Sequence, residues 1–181
     1  MLPPWPSRPP RSGAVVLREF TEDDLSMVLD LATDPYVPLI GTLPARATPE
    51  QARDWIDRNR RRWAEGAGFS FAIAQLTTGR AVGAAGLWLR ELAAGRASAG
   101  YSVAPGARGH GYAADALTAV TDFAWSLPGL HRVELHIEPW NTASVRTAAR
   151  AGYQPEGLLR SYLEIGGRRR DMLLHAAVRP A

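Results

Sequence analysis

The stretch from Gly100 to Ala113, Gly-Tyr-Ser-Val-Ala-Pro-Gly-Ala-Arg-Gly-His-Gly-Tyr-Ala, constrains this chain more than any other. Ala97 to Val103 has the composition of a strand, Gly106, Gly109 and Gly111 interrupt it, and a helical stripe follows to Ser126 through Ala113, Ala116, Leu117, Val120, Phe123 and Ala124. A strand that runs through glycines into a helix sets the first free N–H groups of that helix, and the positive end of its dipole, against the loop. Glycine lets a ligand approach the backbone closely, so the segment suits a phosphate or pyrophosphate. Arg108 and His110 add side-chain donors. Read without a ligand, the same residues are a strand–helix connection with turn glycines.

Three absences narrow the ligand. The spacing G-x-G-x-x-G and an acidic residue ending the next strand are both missing, which argues against a dinucleotide-binding unit. All 21 basic residues are arginine, so no lysine can serve a Walker loop or a Schiff base. Cysteine is absent as well, which removes disulfides, thiolate metal sites and a cysteine nucleophile. Without disulfides an oxidising compartment is unnecessary, and a cytoplasmic location is expected. A net charge of +3 does not by itself argue for nucleic acid. No apolar run approaches the roughly 18 residues of a membrane span.

Residues 1–13 carry five prolines and no apolar signal-type core, which predicts an extended, mobile lead-in to a single domain over 14–181. Ala14–Phe20 reads as a strand. Thr21 with Asp24 opens a helix that Asp34-Pro35 ends, and Thr48-Pro49 opens a second with Trp55, Ile56 and Asn59 on its apolar side. Phe69–Leu76 and Ala81–Arg90 form a hairpin around Thr77–Arg80, and Ala97–Val103 follows. After the helix from Gly111 come a strand over His131–Glu138, a short helix over Asn141–Arg150, and two strands near Gly157–Glu164 and Arg169–Val178. The order β-α-α-β-β-β-α-β-α-β-β is α+β: a mixed, mostly antiparallel sheet of about seven strands with about four helices.

The loop resembles the acetyl-coenzyme A loop of the GNAT N-acetyltransferase superfamily, whose pattern Gln/Arg-x-x-Gly-x-Gly/Ala is met by Arg108, Gly111 and Ala113. A second block, Asn141-x-x-Ser144 followed by Ala151-Gly152-Tyr153 and Glu156-Gly157, resembles the RimJ/RimL branch, which acetylates protein N-terminal amines. Leu17-Arg18 with Thr21–Asp24, Gly100-Tyr101 and Asp171 are similar to further landmarks of that branch, so the likeness covers about Val15 to Val178. It implies the GNAT fold, acetyl-coenzyme A as co-substrate without a metal, and cofactor contacts from Val103, Arg108, Gly109, His110, Gly111, Tyr112, Ala113, Asn141 and Ser144. It also implies a strand bulge near Val103 that offers an N–H to the thioester carbonyl.

Acetyl transfer to an amine needs a polarised thioester carbonyl, a neutral amine and a proton for the departing thiolate. An α-amino group with a pKa near 8 is on the order of one tenth neutral at pH 7, whereas a lysine amine is far less so. An N-terminal amine therefore asks less of a base. By the resemblance, Ser144 is the candidate donor; read as a residue, it merely satisfies backbone in the first turn after an Asn141 cap. The tyrosine that many superfamily members place four residues later is Ala148 here. Glu134, His136 and Glu138 share one face of their strand, with Glu138 nearest the cofactor segment. The base is thus Glu138 or an ordered water, since the place of a glutamate used by many relatives is Ser98. With no cysteine, the acetyl group passes directly between donor and acceptor in a ternary complex.

His131 and His136 face opposite ways and make no metal pair. Trp55, Trp63, Trp88 and Trp125 suit the core, whereas Tyr36 and Trp140 lie in loops where contact with a ligand is plausible. The runs Arg60–Arg62 and Arg168–Arg170 are solvated faces, or would border the acceptor entrance the resemblance implies and steer acidic partners. The acceptor expected first is a protein N-terminus. Alternatives are a small amine such as an antibiotic or polyamine, or a non-catalytic acyl-CoA- or RNA/ribosome-binding module. Nucleic acid enters only indirectly, through a ribosomal substrate, no membrane partner is expected, and a homodimer is compatible with the superfamily.

Overall fold

A computed structural model describes residues 2–180. The strands are β1 (Arg11–Ser12), β2 (Val15–Arg18), β3 (Gly68–Gln75), β4 (Ala81–Trp88), β5 (Arg96–Val103), β6 (Arg132–Ile137), β7 (Gln154–Ile165) and β8 (Arg168–Val178). The helices are α1 (Leu25–Leu31), α2 (Val37–Ile40), α3 (Pro49–Arg61), α4 (Tyr112–Trp125) and α5 (Thr142–Arg150). One sheet holds all eight strands in the order β1-β2-β3-β4-β5-β6-β8-β7. Among the described residues only β5 and β6 run parallel.

The expected α+β order is present with two additions. The eighth strand is the two-residue β1, pairing Arg11 with Val16, too short to show a period of two. The fifth helix, α2, spans four residues and includes Pro38; it begins where the Asp34 carboxylate accepts the N–H groups of Tyr36 and Val37 at 2.7 and 2.8 Å. A tertiary carboxylate, not an apolar period, makes that turn. The long helices start as their sequences dictate. Thr48 and Gln51 exchange side-chain and backbone hydrogen bonds at the head of α3, and Pro49 fills its first position.

Both faces of the sheet are covered. One core gathers Val15, Leu17, Phe69, Phe71 and Leu87 against Leu117, Val120 and Phe123 of α4, and the other packs Phe20, Val28, Leu31, Trp55 and Ile56 of the α1–α3 side on Ala72 and Ala81. Burial on both sides explains why β3, Gly-Phe-Ser-Phe-Ala-Ile-Ala-Gln, shows no polar alternation. Residues preceding β1 also touch this core. The Trp5 ring lies 5.0 Å from that of Phe71 and 6.4 Å from Trp63, whose indole N–H donates to the Pro3 carbonyl at 2.9 Å. Among the described residues no helix is long and apolar enough to cross a membrane.

Two irregularities shape the functional half. The β5–β6 ladder joins only Arg96–Arg132, Ala97–Val133 and Ser98–Glu134. Beyond it β5 stays with β4 to Val103 and β6 stays with β8 to Ile137, so the two strands open as a wedge. In the terminal hairpin the register slips between Leu159 and Leu163 of β7. There Ser161 has φ of 49°, its N–H is held by the Asp171 carboxylate at 2.7 Å, and the neighbouring Tyr162 ring stacks 4.9 Å from His136.

Candidate active site

The loop between β5 and α4 has the conformation its glycines demand. Gly109 and Gly111 take φ of 85° and 80°, and a Cβ on Gly109 would meet nothing within 4 Å. Positive φ turns successive N–H groups the same way, producing an anion nest. No backbone or side-chain acceptor among the described residues takes the N–H groups of Gly109, His110, Gly111, Tyr112 or Ala113; Ala114 is the first to bond, to Gly111. Five donors at the positive end of a 14-residue helix suit the pyrophosphate of coenzyme A. The His110 and Tyr112 rings stack at 5.4 Å, and Tyr112 OH accepts from Gln75 at 2.7 Å.

Arg108 is turned away from the nest. Its guanidinium donates to Asp34 at 2.6 Å and to the Val103 carbonyl at 3.1 Å, tying the loop to the start of α2. Burial would raise the Asp34 carboxyl, but the N–H groups of Val37 and Tyr36 together with Arg108 outweigh it and hold the group below the usual carboxylate range. Asp30 of α1 adds a second tie by accepting the Gly106 N–H at 2.9 Å. Arg108 thus stands where sequence placed it, with its charge spent on holding the loop.

The bulge expected near Val103 is not there. From Ser98 to Val103 the pairing with β4 runs without a register shift, and the shift in this part of the sheet lies at Ile73–Ala74 of β3. Glycines permit the regular approach: a Cβ on Gly83 would sit 2.3 Å from the Ser102 carbonyl. What opens the backbone of β5 is the wedge, which leaves the edge of Ala99–Val103 facing β6 without a ladder partner.

At the wedge, Asn141 and Ser144 come together as their spacing implied: the Asn141 side-chain oxygen accepts the Ser144 N–H at 3.1 Å and caps α5. Tyr101 was not singled out by its chemistry. Its phenol donates to Ser144 Oγ at 3.2 Å, and burial raises its pKa above the ordinary value against the opposing hydrogen bonds of Ser144 and Thr147. A tyrosine from β5 therefore reaches this serine although Ala148 of α5 is buried and inert.

The wedge opens into a cavity of about 530 Å³ whose lining includes Tyr36, Trp88, Tyr101, His136, Glu138 and Ser144. Glu138 is 3% exposed, 3.6 Å from Arg170 and beside Tyr36, whose phenol burial and this carboxylate push up. His136 is pushed down by burial, against the weaker pull of Glu134 and Glu91, and so is a neutral imidazole at pH 7. Glu134 points elsewhere, bonded to Arg132 at 2.6 Å. Tyr36 and Trp140 meet edge to face at 4.9 Å. Trp88, expected in the core, is a wall of the cavity: its ring lies over Gly86 of β4 and Gly100 of β5, which are direct partners. A small residue at each position was the available signal.

A sheet parted at its parallel pair, with an anion nest where β5 leads into α4 and a cavity lined by both parted strands, suits a protein that binds a phosphate-bearing donor. Residues 14–154 match the family model described as an acetyltransferase (GNAT) domain, and the chain belongs to that family of N-acetyltransferases. Acetyl-coenzyme A is its co-substrate. The chain is 28% identical over 165 residues to an uncharacterized N-acetyltransferase, p20, of Bacillus licheniformis, covering 91% of this chain and 93% of that one. Over 81 residues, 45% of this chain and 42% of the relative, it is 35% identical to the [ribosomal protein uS5]-alanine N-acetyltransferase of Escherichia coli. Among solved structures, Mycobacterium smegmatis RimJ in complex with CoA-disulfide is 30% identical and superposes with a TM-score of 0.81, covering 98% of this chain and 90% of that one.

Proposed function

We propose that this enzyme acetylates the N-terminal amine of a protein or peptide. The observation that carries the reading is the Tyr101–Ser144 pair at the join between the wedge and an open cavity. Coenzyme A fits the residues present: the N–H groups of Gly109 to Ala113 would hold its pyrophosphate, with Arg108 keeping the loop in shape, and Val103, Asn141 and Ser144 would contact its thiol-bearing end. Bound there, acetyl-coenzyme A supplies an activated acyl group.

Each remaining role falls to a side chain of this chain. Glu138 faces the cavity and receives the incoming ammonium, with Arg170 and Tyr36 fixing its orientation. His136, two residues earlier on the same strand face and neutral at pH 7, takes the amine proton directly or through water. Tyr101, kept protonated by burial, delivers a proton through Ser144 to the departing sulfur. The relatives support a protein acceptor, since two of them are named for ribosomal-protein acetylation or as RimJ. Polyamines suit the cavity poorly, because Arg62 and Arg90 line it.

Free-thiol release measured over N-terminal peptides, polyamines and aminoglycosides tests the reading. Turnover of peptides with a free α-amine, abolished by N-terminal blocking, is the expected result. Turnover confined to polyamines or aminoglycosides, or coenzyme A binding without any turnover, would overturn it.

A further inference from the structure

The charges lining the cavity are answered unequally. Glu138 has Arg170 at 3.6 Å. Across the sheet, Arg62 and Arg90 line the same cavity, and no carboxylate among the described residues lies within 4 Å of either guanidinium. Arg62 is half-buried, donates to the Ser70 hydroxyl at 2.7 Å and rests 5.7 Å from the centre of the Trp88 ring. Glu65, whose charge reaches Arg62, is itself beside Arg61 at 3.7 Å. A guanidinium withdrawn from water onto a hydroxyl and a ring face, with a second cation nearby, lacks the anion that would complete it.

Resting on the amine-acetylating reading above, we infer that the acceptor carries a carboxylate side chain a residue or two beyond its amine, and that Arg62, seconded by Arg90, receives it. The separation selects the source of the charge. Ser70 lies on β3, Trp88 on β4 and His136 on β6, with Glu138 just past its end, so the cationic and Glu138 ends are at least three strand spacings of roughly 4.8 Å apart, the last of them widened by the wedge. A free amino acid, with amine and carboxylate on one carbon, cannot reach both ends. An extended peptide gains about 3.3 Å per residue, and an acidic side chain at its second or third position spans the distance. Arg62 is then a specificity-determining residue: its fork reads a carboxylate and rejects the uncharged isostere, while the Trp88 face holds the fork in place.

The test compares kcat/KM for octapeptides that begin with alanine and carry Glu or Gln at the second and third positions, with free glutamate as a further acceptor. Glu peptides are expected to be favoured about tenfold to a hundredfold, mainly through KM, as for a charge-assisted pair in a half-buried site. In Arg62→Gln the preference should fall to about twofold or less, with Arg62→Lys between the two and the exposed Arg90→Gln lowering it by a smaller factor. Equal turnover of Glu and Gln peptides by the unsubstituted enzyme would overturn this inference alone. So would a preference unchanged in both Arg62→Gln and Arg90→Gln, or free glutamate matching the best peptide. Absence of turnover on every peptide would overturn the reading beneath it, and the inference with it.

Discussion

Tyr101 and Ser144 lie 43 residues apart in the chain and meet through one hydrogen bond, phenol to serine hydroxyl at 3.2 Å, where the sheet opens. The contact joins the strand before the glycine loop to the helix after the wedge. In the proposed mechanism this contact is the route by which a proton would reach the departing thiolate, from a residue that α5 does not supply.

Tyr101→Phe should therefore lower kcat by about tenfold, with the KM for acetyl-coenzyme A nearly unchanged. General acids contribute 10²–10⁴ in favourable cases, but a thiolate needs little help to leave, so the effect sits below that range. Ser144→Ala should cost a similar factor, and the double variant should cost little more than either, because the two residues act as one relay. Burial raises the Tyr101 pKa above its usual value near 10, so the group stays protonated through neutral and mildly basic pH. The ratio of wild-type to Tyr101→Phe rates should then be flat from about pH 6 to 9. Steady-state kinetics over that range, with thiol release as signal, gives both results; a strictly additive double variant would contradict the relay.

The nest makes a prediction that separates charge from backbone strain. Gly111 has φ of 80°, and a Cβ there would meet only the Arg150 guanidinium, at 3.9 Å. Asp and Asn tolerate this conformation about equally, so Gly111→Asn reads strain and bulk while Gly111→Asp adds a negative charge beside the pyrophosphate. Calorimetry with coenzyme A should show Gly111→Asp binding at least about tenfold more weakly than Gly111→Asn, as expected for a like charge set against an anion at a helix N-terminus. Equal affinities would remove the pyrophosphate from this loop.

Much of this arrangement was legible before any coordinates. The glycine loop, the α4 stripe and the Asn141 cap follow from local rules: positive φ, a period near 3.6 and a side-chain oxygen three residues before an N–H. What escaped depends on residues distant in sequence. The wedge exists because β5 and β6 each keep their outer partners after Ser98 and Glu134, a consequence of strand order that no single strand records. Arg108 matched a motif for the donor site, yet its guanidinium is held by Asp34, 74 residues away. His136 looked like one alternating strand residue among three until burial, the cavity and the Tyr162 stack distinguished it from Glu134.

That Asp34–Arg108 tie should show in stability against pH. The Asp34 carboxyl is held below its usual range in the folded protein, so its contribution is complete above the unfolded value near 4 and is lost as pH falls through the lower folded value. Asp34→Asn can keep the Tyr36 and Val37 bonds through its amide oxygen but turns an N–H toward Arg108. The variant should be less stable by about 1–2 kcal/mol at pH 7, in the range for losing a charged hydrogen bond, and the gap should close below about pH 4. Urea denaturation of both proteins between pH 3 and 7 measures it. A gap independent of pH would mean that packing, not the charge, is responsible.

Trp88 lies on a floor made by two glycines, and this makes the cavity proposed for the acceptor sensitive to one methyl group. Gly86 and Gly100 pair directly across β4 and β5, and a Cβ on either would come within 2.9 Å of the indole. Neither residue has a positive φ, so space, not backbone freedom, requires glycine there. Gly100→Ala should lift the ring into the cavity and shift the Arg62 fork that rests on its face. The expected signature is a rise of about fivefold to tenfold in KM for the peptide acceptor, the scale of a pocket that gains or loses one methyl group, with affinity for coenzyme A unchanged. Trp88→Phe combined with Gly100→Ala should recover part of the loss by giving back the space. If Gly100→Ala instead weakened coenzyme A and left the acceptor KM alone, the cavity above Trp88 would belong to the donor, and the assignment of its two ends would have to be reversed.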